Sequence, residues 1–195
     1  MNNLIKTTKT YITTHKRDSI ISLVLILIIA GLVALFIYNN LSRIVYQPTD
    51  ACDMLTPAKA QDLLGEKVIS LDTKGAVISG DVATSKCSYT DENPNKDNMV
   101  VAAIAVRSGI NDKGVQQNKA DFATSRANGT VEDVKNLGDS AYFNPVRGQL
   151  NILDDKRWII ISYGIGAAPE ANTLDKAIEL ANVVLDYPLF QVGRF

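Results

Sequence analysis

The stretch IISLVLILIIAGLVALFIY, Ile20 to Tyr38, carries no charge, and only Ser22 and Gly31 interrupt its hydrocarbon. At about 1.5 Å of rise per residue, a helix of this length covers nearly the ~30 Å apolar core of a bilayer. The run is therefore expected to be a single transmembrane helix over residues 19–40, preceded by a tail over 1–18 and followed by a linker over 41–50. Residues 51–195 are expected to form one globular domain, because about 150 residues suffice for one sizeable core.

The charges flanking the run set the orientation. Lys6, Lys9, Lys16 and Arg17 precede it, whereas Arg43 stands alone behind it before Asp50 and Asp53. The positive-inside rule places the N-terminus in the cytoplasm and the domain outside the plasma membrane. A cleaved signal peptide is the competing reading. It lacks a small-x-small cleavage site, since the run leaves through Phe36-Ile37-Tyr38-Asn39-Asn40. Tyr38 and Tyr46 are placed where an outer interfacial aromatic belt would sit.

The net charge of −1 divides unevenly: residues 1–38 sum to +3 and the remainder to −4. An acidic domain without a basic stripe excludes nucleic acid as a partner class, because clustered Lys and Arg supply most of that affinity. The expected partners are the lipid bilayer and either an envelope protein or a small apolar ligand.

Cys52 and Cys87 are the only cysteines, and both lie on the expected outer side. Two thiols in an oxidising compartment are expected to pair. The alternatives, a metal site or a redox pair, are weaker. The domain has no histidine and no C-x-x-C.

Local signals outline an α+β domain, a mostly antiparallel sheet with helices packed on one face. Thr56-Pro57 and Gly65 bracket a short helix. Weaker helical patterning runs from Asp112 to Ala127, with Gly114 inside it, and the clearest soluble helix runs from Asn172 to Leu185, with Asn172 and Asp175 as a capping box. Strands are expected at Val68–Leu71, Ala76–Val82, Lys86–Thr90, Met99–Val106, Ser140–Asn144, Gln149–Leu153 and Trp158–Tyr163.

Chemistry-bearing constellations are few. His15, the sole histidine, lies in the tail, so the domain has no histidine-based triad or metal centre. Thr56-x-x-Lys59 has nucleophile–base spacing, but capping already explains Thr56. Asp154 and Asp155 could serve acid–base chemistry, although adjacent acids after a strand usually make a turn. Asp91, Asn93, Asn95 and Asp97 place oxygens at alternate positions as a calcium loop does. Lys96 and Ala102 stand where that loop wants glycine and glutamate.

Gly164-Ile165-Gly166 follows a strand and precedes a helix as a dinucleotide loop does, but Pro169 replaces the third glycine and no strand follows to complete a βαβ unit, so a flexible connection is expected. Asn128-Gly129-Thr130 is a glycosylation sequon or a turn. Trp158, Tyr163, Phe190 and Phe195 are the candidate partner-binding aromatics. The apolar tail Leu189–Phe195 is either an edge strand or a binding peptide.

The segments Cys52-Asp53-Met54-Leu55-Thr56-Pro57, Leu63-Leu64-Gly65, Cys87-Ser88-Tyr89, Leu137-Gly138-Asp139-Ser140-Ala141-Tyr142 and Arg157-Trp158-Ile159 resemble the two-cysteine extracytoplasmic domains of actinobacterial-type envelope lipoproteins, whose function is unassigned. The resemblance implies a Cys52–Cys87 bridge and supplies no catalytic residue. The chain departs from that pattern in lacking a lipobox cysteine and in having Tyr89 where tryptophan is common.

These observations point to a membrane-anchored, non-catalytic binding or interaction module of the cell envelope that needs no cofactor. The rivals are a structural subunit of a surface assembly and an envelope enzyme working with carboxylates alone.

Overall fold

The computed structural model describes residues 22–36, 45–65, 67–92, 99–165 and 171–185. The chain divides into two compact units, Met1–Arg43 and Ile44–Phe195.

In the first unit, residues 22–36 form helix α1. Its side chains are exposed around the whole circumference, with Leu27 at 63% and Leu32 at 62%. Among the described residues, no helix is both long and apolar enough to cross a membrane. Over its described part α1 is about 22 Å long. The ends of the apolar run and the basic tail lie outside the described residues.

The second unit is an α+β domain built, among the described residues, on one sheet of seven strands. These are β1 (Val68–Ser79), β2 (Val82–Asp91), β3 (Val100–Gly109), β4 (Glu132–Val134), β5 (Ser140–Asn144), β6 (Gln149–Asp154) and β7 (Arg157–Ile165). Their order across the sheet is β1-β2-β3-β7-β6-β5-β4, and every pairing is antiparallel. The helices are α2 (Ala51–Met54), α3 (Pro57–Leu64), α4 (Asp112–Ala127) and α5 (Leu174–Leu185).

The helices cover both faces, not one as the pattern of the sequence suggests. Strand residues alternate between faces, and the two cores divide accordingly. Cys87, Tyr89, Ala102, Ile104, Ile152, Ile159, Ile161 and Phe143 point to one side. There they meet Ala51, Met54, Ala60 and the α5 residues Ala177, Leu180, Ala181 and Val184. The alternate positions Tyr142, Leu153 and Trp158 point to the other side and meet Phe122 of α4. The stripe that binds α4 consists of Gly114, Asn118 and Phe122, too polar to read as a buried face.

Gly114 lets α4 approach closely. A Cβ there would collide with the Asp81 carbonyl oxygen in the β1–β2 turn. The Asn118 amide donates to the Arg107 and Lys156 carbonyl oxygens at 2.9 and 3.1 Å, fixing α4 to β3 and to the β6–β7 turn.

The expected caps are present at α3. The Thr56 side chain accepts from the Lys59 N–H, Pro57 opens α3 and Gly65 closes it. At α5 the cap shifts by one residue: the Lys176 N–H donates to Thr173 Oγ1 and the Ala177 N–H to the Thr173 carbonyl. Thr173, not the expected Asn172, therefore occupies the cap position.

The strands expected at 68–71 and 76–82 are largely one long β1, with Val82 opening β2. Two irregularities in the β1–β2 register, between Ser70 and Asp72 and between Lys74 and Val77, interrupt the alternation that would have joined them. Strand β4, three residues long, leaves no periodic trace.

Residues 45–50, expected as linker, are tied down. The Val45 and Tyr46 N–H groups donate to the Ile110 carbonyl at 2.7 and 2.9 Å. The Tyr46 hydroxyl donates to Asp112 at 2.6 Å, and the Lys156 ammonium lies 4.6 Å from its ring centroid. The neighbouring carboxylate raises the Tyr46 pKa, and Asp155 raises that of Lys156.

Candidate functional site

Cys52 and Cys87 form a disulfide with a Cα–Cα distance of 5.1 Å. Asp50 caps α2 by accepting from the Cys52 N–H at 2.8 Å, and the Ala51 N–H donates to Ser85 Oγ at 2.9 Å. The start of the domain is thus fastened to β2 by one covalent link and, just before it, by the hydrogen bonds of Ser85 to the Ala51 N–H and the Thr49 carbonyl.

Trp158 and Tyr163, five positions apart on β7, point to opposite faces and do not form one surface. Tyr163 is 6% exposed, sits in the larger core, and donates to the Leu63 carbonyl at 3.1 Å. Trp158 is half-buried. Its indole N–H donates to Asn151 Oδ1 at 3.1 Å, and Phe122 meets it edge-on at 6.0 Å between centroids. Phe190 and Phe195 lie outside the described residues.

Of the calcium candidates, Asn93, Asn95 and Asp97 also lie outside the described residues. Asp91 Oδ1 accepts from the Val100 N–H at 3.1 Å, closing the base of the β2–β3 connection. Among the described residues no three His, Cys, Asp or Glu side chains gather as a metal cluster.

Asp154 and Asp155 occupy the β6–β7 turn. Asp154 pairs with Arg157, Asp155 pairs with Lys156 at 2.9 Å, and Asp155 adopts φ 52°. Gly164 is buried where Ala171 and Asn172 cross it, so a packing contact accounts for this glycine. Asn128 is exposed beyond the end of α4 and its N–H caps the Thr124 carbonyl.

A broad, open concavity lies on the α4 side of the sheet. A groove of about 740 Å³ runs along the C-terminal half of α4 and is closed opposite by Val131, Asp133, Ser140 and Leu153. Phe122, Ala123, Val131 and Leu153 give it an apolar floor. Lys119 and Arg126, two turns apart on α4, stand on one rim. Arg126 is held by Asp133 at 2.6 Å, both side chains being solvent-exposed.

Behind the floor, Tyr142 is fully buried with its ring centroid 4.9 Å from that of Phe122. Its hydroxyl has no hydrogen-bond partner among the described residues. Neither the groove nor its rim was legible in the sequence. Its residues come from α4, the α4–β4 connection, β4, β5 and β6, and no short motif joins them. The chain matches no protein-family model, no curated protein and no solved structure.

Proposed function

We propose that the chain is a single-pass envelope protein, its N-terminus cytoplasmic and its disulfide-closed domain outside, that works by binding rather than by catalysis. The observation that carries this reading is the groove along α4, within the volume range of small-molecule sites and floored by apolar side chains with a cationic rim. Such a site suits a small apolar ligand with an anionic end, its body on Phe122 and Leu153 and its charge at Lys119.

The anchor rests on the fourteen Leu, Ile, Val and Phe residues between Ile20 and Tyr38, each contributing roughly −0.3 to −0.6 kcal/mol to insertion. The bridge suits an oxidising compartment. Kinship with the actinobacterial-type envelope lipoprotein domains is part of the same proposal.

The single tryptophan is its own reporter, because Trp158 touches Phe122. With the full chain in lipid nanodiscs, octanoate is expected to change Trp158 emission saturably, and octylamine is not. Ala123→Glu and Lys119→Glu should abolish the response. An equal response to both amphiphiles, or one that survives Ala123→Glu, overturns the ligand assignment. For topology, protease added to intact cells should digest an epitope at the C-terminus and spare one at the N-terminus.

A further inference from the structure

Among the described residues no strand pairs with the outer edge of β1, and β1 is unusual for an edge strand. It is twelve residues long, nearly all exposed, and displays Ile69 at 47%, Leu71 at 49%, Val77 at 48% and Ile78 at 46%. A long apolar edge presents unpaired backbone donors and acceptors together with side chains that gain from cover. Asp72 and Lys74, at its middle, have no ion-pair partner among the described residues.

The faces of β1 follow from its pairing with β2. Ile69, Asp72, Lys74 and Val77 oppose Thr90, Ser88, Lys86 and Thr84, and so share one face. Val68, Ser70, Thr73 and Ile78 oppose Asp91, Tyr89, Cys87 and Ala83 on the other. This assignment is symmetric about Thr73. Ile69 mirrors Val77, Asp72 mirrors Lys74, and Val68 mirrors Ile78, each pair lying on a common face. The two register irregularities fall on either side of the same centre.

We propose that β1 pairs antiparallel with β1 of a second copy about a two-fold axis at Thr73, joining two seven-stranded sheets into one. In that register Asp72 of each copy stands opposite Lys74 of the other, giving two opposite-charge pairs. Ile69 meets Val77, Val68 meets Ile78, and Leu71 meets the side-chain-free Gly75. Cross-strand pairs of these kinds are the favourable ones in antiparallel sheets.

Neighbouring registers fail. A slip of one residue in the pairing brings Ile69 opposite Ile78, residues of opposite faces. A slip of two sets Lys74 against Lys74 or Asp72 against Asp72. The charges and irregularities that deter indiscriminate edge pairing therefore admit this self-match. The self-match uses the opposite sheet edge from β4 and stands independently of the ligand assigned to the α4 groove.

The test uses the full chain in detergent, followed by sedimentation. A dimer is expected. Lys74→Asp should weaken it by at least about tenfold in midpoint concentration, as should Asp72→Lys, and the double exchange should restore it. A mixture of Ile69→Cys and Val77→Cys chains should cross-link on oxidation, since directly opposed Cβ atoms lie about 4.5 to 5.5 Å apart. Each variant alone should not.

These positions face away from the native bridge, and the cross-linking arm keeps the native charges, so it decides even if a charge variant misfolds. A monomer up to about 100 µM overturns the proposal. So does a dimer indifferent to Lys74→Asp, or cross-linking of either cysteine variant alone to the level of the mixture.

Discussion

The Tyr163 hydroxyl donates to the Leu63 carbonyl across 3.1 Å, tying the last turn of α3 to β7 through the larger core. Burial raises the Tyr163 pKa, and Glu179 adds to the rise. Burial alone raises that of Tyr89. Folding therefore favours the protonated phenols. Their contribution is complete below the unfolded pKa of about 10 and is lost as pH climbs through the higher folded values. The urea midpoint should hold between about pH 7 and 9 and fall above about pH 10. Tyr163→Phe should cost about 1 kcal/mol at neutral pH and flatten the alkaline fall. A variant matching the native chain at both pH values contradicts this account.

Reduction of Cys52–Cys87 removes a constraint across a sequence separation of 35. The expected loss is about 3 to 4 kcal/mol, mostly through the unfolded chain. Urea titrations with and without reductant measure it. Thiol labelling of the denatured, unreduced chain should find no free cysteine.

Gly114→Ala is expected to run against helix propensity. Alanine ordinarily stabilises a helix interior by up to about 1 kcal/mol over glycine. Here its methyl would enter the Asp81 carbonyl, so a net destabilisation of about 2 kcal/mol is expected, in the range of overpacked sites. Thermal denaturation reads the sign directly.

Tyr142→Phe should do the opposite. The hydroxyl is buried without a partner among the described residues, and a buried unpaired polar group costs about 1 to 3 kcal/mol. The variant should be more stable by about 1 kcal/mol. A loss of that size instead would reveal a bridging water behind Phe122.

What could be read in the sequence was what chemistry writes locally. Thr56, Pro57 and Gly65 announced α3 because capping is a matter of a few adjacent atoms, whereas α4, from Asp112 to Ala127, showed only as a thin apolar stripe and its Asn111 cap went unread. The length of β1 was not, because its two irregularities break the period on which such a reading depends. The face chosen by α4 was hidden because its contacts are a glycine and an asparagine as well as Phe122. The opposition of Trp158 and Tyr163 was implicit in their odd spacing along a strand, whereas the groove depends on residues that meet only after β5 and β6 have paired.

The order of the strands also fixes what the chain must do last. β1, β2 and β3 pair with neighbours in sequence, and so do β4, β5, β6 and β7, whereas β3 and β7 join only across the sheet's centre, as at Val106 with Ile159 and Ile104 with Ile161. Two meanders can assemble quickly from short loops, but their seam closes a long loop containing all of α4 and is the slow, entropically costly event. Val82→Ala, in a hairpin already formed when the seam closes, should therefore slow refolding and leave unfolding nearly unchanged, whereas Ile104→Val and Ile161→Val, at a seam still closing, should divide their effect between slower refolding and faster unfolding, a division that stopped-flow kinetics resolves.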